Sequence, residues 1–286
     1  MPDYLRIGHR GAAAYALENS RLSIELALEM GVDMVEFDVR RCRDGLVLIH
    51  DSDLKRIMGR REKVKDMTVA KLKALIAEGT ESRKARKAQG RNRNRRGGER
   101  VAEEILTLEE ALALIKEREG RPLIDFKETG YEEEILRTLA DFGLEDGAIL
   151  SSVRAEALRR VKALKPNLKT AIAYPEDRWN ISQKRFMAPF VEAFVFLLKL
   201  LMPLRVRLLA EEADVAALYY KVLSPPVVKI AHSRGVEVYA WTVNDRPTLQ
   251  RMVAMGVDGL VSDRPDLFVD SRRYTVYCLP FVILAH

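Results

Sequence analysis

Short apolar runs alternate with amphipathic stretches along most of the chain. The first run, at 5–8, leads straight into His9-Arg10-Gly11, and the next stretch sets Leu22, Leu26, Ala27 and Met30 on one helical face. Asn19 or Ser20 is the predicted N-cap of that helix and Gly31 its stop. A second strand is predicted at 34–39. Thr107 with Glu110 three residues on predicts a capping box, with Leu106 and Ala111 placed to staple it. Further strand-like runs lie at 123–126, 148–150, 170–173, 215–220, 236–242 and 259–261, with helical patterns between them. Such alternation with short links predicts a parallel sheet with helical crossovers.

Counted this way there are eight strands, provided 46–49 is set apart. That run follows Val39 too closely for a crossover helix, so it is predicted to return antiparallel as a hairpin arm. Eight βα units in about 250 residues match a TIM (β/α)8 barrel. A doubly wound sheet fits less well, because no Gly-rich phosphate loop follows the first strand. The expectation is one α/β barrel domain over 1–286, with a small insertion at 52–105 after the second strand and hairpin.

Composition narrows this picture. The chain has 286 residues and is 48% apolar, which excludes disorder throughout. Two cysteines, Cys42 and Cys278, exclude a disulfide scaffold. No signal-peptide pattern opens the sequence, so a cytoplasmic location is expected, with peripheral membrane contact as the variant. The net charge of +6 is local: residues 82–100 hold nine Lys and Arg against one acid, Glu99, leaving the rest slightly acidic. That segment has no apolar periodicity, contains Gly90, Gly97 and Gly98, and is expected to be a mobile, solvated loop. Attraction to anionic lipid headgroups is its sharper reading; nucleic acid is disfavoured, because interleaved aromatics are missing.

A second unusual stretch, 186–204, carries Phe186, Phe190, Phe194, Phe196 and a Leu-rich run. Between Pro189 and Pro203 it would make about 20 Å of helix, too short for a membrane span. An outer barrel helix packed by neighbours is the preferred reading. The sharper one is an apolar lip at the barrel mouth, for acyl chains or a membrane interface. The apolar tail 274–286 is expected to pack against the barrel or a partner chain.

Chemistry in such a barrel collects at the C-terminal strand ends. Those ends supply His9 and Arg10, Glu36 and Asp38, Asp125 and Lys127, Ser151 and Ser152, Trp241, and Asp263 with Arg264, while the hairpin adds His50 and Asp51. Glu36 and Asp38 are two apart on a strand and face the same side. Two buried acids repel unless a cation or donors compensate, and all-oxygen ligands suit Mg²⁺, Ca²⁺ or Mn²⁺ rather than Zn²⁺. Asp125 is placed to be a third ligand. The plain alternative is a set of acids salt-bridged to Arg10, Arg40 or Lys127. His9 and His50 form a candidate acid/base couple. Arg10 and Lys127 offer fixed positive charge for a phosphate oxygen.

At this point a family resemblance emerges. His9-Arg10-Gly11, Glu18-Asn19-Ser20, Gly31-Val32-Asp33, Glu36-x-Asp38, Asp44-Gly45 and His50-Asp51 resemble the motif series of the glycerophosphodiester phosphodiesterases. Trp241-Thr242-Val243-Asn244, Gly256-Val257-Asp258-Gly259 and Ser262-Asp263-Arg264-Pro265 resemble that family's C-terminal signature. The resemblance implies a TIM-barrel hydrolase that uses a divalent metal to cleave glycerophosphodiesters into glycerol 3-phosphate and an alcohol. It implies Glu36, Asp38 and Asp125 as metal ligands, His9 and His50 as acid and base, and Arg10 and Lys127 as phosphate contacts. Trp241 would line the substrate pocket. Asp125 stands where the family usually carries Glu, which shortens the reach by about 1.5 Å. Two rivals differ in substrate or class: lysophospholipase D-like action on lipid phosphodiesters at a membrane, and an inactive barrel binding anionic surfaces or RNA through 82–100. Intact His9, His50, Glu36 and Asp38 argue against the inactive barrel.

Overall fold

A computed structural model describes residues 4–88, 104–175 and 188–269, and for 80–88 and 188–192 it describes the backbone alone. The described strands are β1 (Leu5–Gly8), β2 (Met34–Arg41), β3 (Leu46–Leu48), β4 (Pro122–Phe126), β5 (Ile149–Ser152), β6 (Lys169–Tyr174), β7 (Val215–Tyr219), β8 (Glu237–Trp241) and β9 (Gly259–Ser262). All but β3 run parallel and close into a barrel, because β1 pairs with both β2 and β9. β3 returns antiparallel along β2, with Val39 opposite Leu48. The architecture is thus the expected (β/α)8 barrel with one hairpin arm added.

The helices are α1 (Arg21–Glu29), α2 (Lys55–Met58), α3 (Val69–Ala88), α4 (Leu108–Glu117), α5 (Glu132–Phe142), α6 (Ala155–Leu164), α7 (Ala188–Leu209), α8 (Pro225–His232) and α9 (Arg246–Ala254). Their ends follow local chemistry. Ser20 caps α1 by accepting from the Ser23 amide, and Thr107 and Glu110 form the reciprocal capping box of α4. Gly143 closes α5 in the left-handed conformation that glycine adopts without penalty.

Strand alternation sorts the core into two shells. One side chain from each barrel strand (Ile7, Met34, Leu123, Ile149, Ala171, Val215, Tyr239 and Val261) points inward and fills the barrel. Their sequence neighbours, among them Val35, Ile124, Leu150, Ile172, Ala216, Val238 and Leu260, point outward against the helices. Apolar demand on both faces explains why the strands read as continuous runs. A third cluster joins Cys42, Val47 and Ile49 of the hairpin region to Leu54, Val64, Met67, Leu72 and Ile76 of the insertion. Because the hairpin leaves the C-terminal end of β2, this cluster seats the insertion on the mouth side of the barrel.

Two expectations change. α3 continues to Ala88, so the first part of the basic segment, 82–88, is helical rather than loop. Lys, Arg and Ala are strong helix formers, and neither Gly nor Pro occurs from Thr80 to Ala88. Positions 89–100 lie outside the described residues, as do 186–187 and the tail 274–286. Pro203 does not end its helix either; it sits inside α7, which runs on to Leu209. A proline there removes one backbone hydrogen bond, but Leu198, Met202, Val206 and Leu209 are buried on both sides of it and hold the helix in place. Among the described residues, no helix is long and apolar enough to cross a membrane.

The inward layer is tight where β8 meets β9. Tyr239 is fully buried, and a Cβ added to its register partner Gly259 would sit 2.7 Å from the tyrosine ring. Tyr239→Ala is expected to cost about 3–5 kcal/mol in urea denaturation and Gly259→Ala about 1–3 kcal/mol. In the double variant the methyl group enters the vacated space, so the combined loss should fall short of the sum.

Candidate active site

The mouth is built by stepping up the strands from the packed layer. Side chains two residues apart face the same way, so His9 follows Ile7, Glu36 and Asp38 follow Met34, Asp125 follows Leu123, Trp241 follows Tyr239 and Asp263 follows Val261. Glu36, Asp38 and Asp125 are all buried, and one carboxylate oxygen of each lies within 4.8 Å of the others. The shorter Asp125 therefore still converges with its two neighbours.

The turn after β1 wraps this cluster. Gly11 takes a φ of +83°, and a Cβ there would lie 2.4 Å from the Ser23 carbonyl carbon, so only glycine lets the chain bend this closely. The bend points the Arg10 amide at Glu36, to which it donates at 2.7 Å, and brings the Arg10 guanidinium to Glu18 at 2.9 Å. Arg10 Nε lies 3.1 Å from Asp38 Oδ2 without the alignment to donate to it. Asn19, at a left-handed φ of 61°, clamps Asp38 from both sides. Its amide nitrogen donates to Asp38 Oδ2 at 2.9 Å, and its carbonyl accepts the Asp38 backbone amide at 3.0 Å. Lys127, just past β4, is 2.5 Å from Asp38 Oδ1 and pairs with Asp125.

Electrostatics divide the acids. Burial and the neighbouring Asp38 push the Glu36 carboxyl up to about 7. Burial also opposes ionisation of Asp38, but Arg10 and Lys127 outweigh it and hold that carboxyl well below the usual range. The salt-bridge alternative is thus realised for Asp38 by Arg10 and Lys127. Arg40 instead donates to the His50 carbonyl at 2.7 Å and pairs with Glu128.

His9 and His50 are each held through Nδ1 by an acid. His9 Nδ1 meets Asp263 at 2.6 Å, and Asn244 donates to the same carboxylate at 2.6 Å. His9 Nε2 faces Glu36 at 3.9 Å. His50 Nδ1 meets Asp51 at 2.8 Å, and Asp51 is braced by Arg56, which also pairs with Glu18. Burial and Arg10 depress His9, but Glu36 and Asp263 more than compensate, so its pKa is raised. For His50 burial prevails over Asp38 and Asp51, and its pKa is lowered. His50 also interacts electrostatically with Lys127 and Arg10, which ties the hairpin to the acid cluster. Trp241 lies across the mouth from β2 and β4, 5.6 Å from Tyr219, its indole nitrogen donating to the Ala217 carbonyl.

Comparison with known proteins decides what this mouth belongs to. Residues 9–267 match the model of the glycerophosphoryl diester phosphodiesterase family. The chain belongs to that family. A glycerophosphodiester phosphodiesterase from Caldanaerobacter subterraneus subsp. tengcongensis is 28% identical over 94% of this chain and 98% of its own. One from Bacillus subtilis is 29% identical over 92% of this chain and 85% of its own. Among solved structures, the glycerophosphodiester phosphodiesterase of Thermotoga maritima superposes with a TM-score of 0.61 at 25% identity, covering 93% of this chain and 97% of its own. An Oleispira antarctica phosphodiesterase, solved with the product sn-glycerol-3-phosphate, gives 0.64 at 23% identity over 91% of this chain and 93% of its own. The chain is accordingly a phosphodiesterase of glycerophosphodiesters, and its buried acid triad is compatible with a divalent metal.

The structure brings His9, Arg10, Glu36, Asp38, Asp125 and Lys127 of this phosphodiesterase into one cluster. From the sequence, Asn19 is a candidate N-cap and Asp51 and Asp263 are placed at the mouth, but none of them, nor Glu18 or Asn244, is assigned a partner in the site. The signal was available in part: Asn19 and Glu18 stand in one shared motif, and Asp51 and Asp263 at strand and hairpin ends.

Asp263 favours the His9 imidazolium, so Asp263→Asn should lower the His9 pKa while His50 stays put. Histidine NMR titration of EDTA-treated protein checks this. An unmoved His9 would show that the contact has no electrostatic weight.

Proposed function

We propose that this mouth hydrolyses glycerophosphodiesters to glycerol 3-phosphate and an alcohol with the help of one divalent cation held by Glu36, Asp38 and Asp125. The observation that carries this reading is uncompensated charge at a buried site. Three carboxylates meet two cationic side chains, Arg10 and Lys127, and the strain shows in the raised Glu36. Asp125 Oδ1 is buried with no hydrogen-bond partner, the condition of an oxygen awaiting a cation. All donors are hard oxygens, which supports Mg²⁺ or Ca²⁺, with Mn²⁺ as a third candidate. When bound, the ion would act as a Lewis acid that neutralises charge on the phosphoryl oxygens.

The chain's own residues supply the rest. Arg10 and Lys127 border the acids and are positioned to bind the remaining phosphate charge. Because Nδ1 of each histidine is engaged by Asp263 or Asp51, Nε2 is the nitrogen that exchanges protons. One Nε2 takes a proton from the attacking hydroxyl as its oxygen bonds to phosphorus, and the other gives a proton to the leaving alkoxide as the P–O bond breaks. Attack by water gives glycerol 3-phosphate directly; attack by the glycerol C2 hydroxyl gives a cyclic phosphate, which water then opens with the two histidines in exchanged roles. Trp241 and Tyr219 form an aromatic wall for the non-reacting part of the substrate.

Release of glycerol 3-phosphate from glycerophosphocholine should vanish in EDTA and return with Mg²⁺, Ca²⁺ or Mn²⁺. His9→Ala and His50→Ala should each lower kcat by about 10²–10⁴-fold with little change in KM. An active double variant, or turnover indifferent to EDTA, would overturn the assignment.

The Glu36 carboxyl near 7 adds a pH dependence of known sign. Below that value the group carries a proton that an incoming cation must displace. Metal affinity measured by calorimetry should therefore be about tenfold weaker at pH 6 than at pH 8. A flat profile would remove Glu36 from the ligand set.

A further inference from the structure

α7 is longer than the wall it covers. Its 22 residues extend about 33 Å, whereas β6, with 6 residues, rises about 20 Å. Among its described side chains, Leu198, Met202, Val206 and Leu209 form a buried stripe of about 18 Å. From Ala193 to Leu197 only Val195 packs against the core, and it is half-buried. Leu209 lies close in sequence to Val215, where β7 begins at the floor of the barrel. The excess length therefore projects at the other end, beyond the C-terminal strand ends, on the side of the active-site mouth.

The outward side of this helix is apolar. Phe194, Phe196, Leu197, Leu200, Leu201, Leu204 and Leu208 are each at least 50% exposed. At about 100° per residue they form one continuous stripe opposite the buried one. A contiguous run of large exposed apolar side chains marks an interaction surface. Between Ala193 and Ala210 the charged residues are Lys199, Arg205 and Arg207, all basic and all exposed. Lys199 and Arg205 fall at the two borders between the outward and buried stripes, and Arg205 also lies over the Tyr174 ring at 5.3 Å. Basic residues flanking an apolar stripe are the arrangement of a helix lying in a lipid interface, with aliphatic stems in the acyl boundary and charges at the headgroups.

We propose that the outward stripe of α7 docks on an anionic lipid surface, laying the barrel on its side with the rim of the mouth beside the headgroups. Two features select this occupant. The exposed charges between Ala193 and Ala210 are all basic, and with Glu192 counted α7 still carries a net positive charge, matching anionic headgroups. The N-terminal end of α7 lies on the mouth side, where a surface-borne phosphodiester would enter. Docking goes beyond the hydrolysis reading, and it is measured by binding alone, so the two stand or fall separately.

The test is flotation of the full-length protein with vesicles of phosphatidylglycerol and phosphatidylcholine in equal parts, and with phosphatidylcholine alone. Wild type should float with the anionic vesicles and markedly less with the neutral ones. The double variant Leu200→Glu, Leu204→Glu should lose about tenfold in partitioning while turning over glycerophosphocholine as wild type does. Equal flotation of variant and wild type, or no flotation of either, overturns the proposal. So does a wild-type dimer that the variant dissociates in light scattering, because a second copy then covers the stripe. Flotation gained only in a full-length Phe281→Glu, Ile283→Glu variant overturns it too, because the chain's own tail is then the occupant.

Discussion

Three carboxylates buried within 4.8 Å of one another repel, and the mouth of this barrel is organised around containing that repulsion. Arg10 and Lys127 neutralise Asp38 and Asp125, and Asn19 clamps Asp38 with two hydrogen bonds. Glu36 keeps a backbone amide and a distant imidazole, and its raised pKa records what is left over. The left-handed turn through Arg10 and Gly11 belongs to the same solution, since it aims the Arg10 amide at Glu36 while its side chain reaches Glu18 beside Asp38. Like charge at a low-dielectric site is costly, and a cation held by the three acids would relieve it.

The two histidines differ because the field around them differs. His9 sits between Glu36 and Asp263 and is pulled toward its charged form. His50 faces Arg10 and Lys127 as well as Asp38, and burial lowers its pKa. Two imidazoles of the same cleft are thus driven in opposite directions, which suits the acid and base roles proposed for them. Their Nδ1 partners, Asp263 and Asp51, come from opposite ends of the chain, so barrel closure of β9 onto β1 is what completes the His9 pair.

The positive net charge says little about this centre. It comes from 82–100, while the catalytic mouth is an acidic cluster with two embedded cations. What the surface adds is local: an apolar stripe on α7 bordered by Lys199 and Arg205, on the side where the mouth opens. The enzyme's chemistry and its surroundings are thus served by separate parts of one fold.

The sequence by itself determined the barrel strands, most of the helices between them, the hairpin and the barrel, because apolar runs and helical patterns are local and the caps at Ser20, Thr107 and Gly143 are spelled out in neighbouring residues. It also determined which residues gather at the mouth, since strand ends of a parallel barrel share one face and Glu36 and Asp38 share one side of a strand. Only the tertiary structure decided which groups offset which. Asn19 meets Asp38, Asp263 meets His9 and Lys127 meets Asp38 across separations that no local pattern encodes. Pro203 reads locally as a helix stop, yet packing of Met202 and Val206 carries α7 through it. The run from 82 shows the same limit: its glycines read as loop, while its first residues follow their helix propensity as a continuation of α3. Local patterns specify the elements; the pairing of buried charges is decided only when the barrel closes.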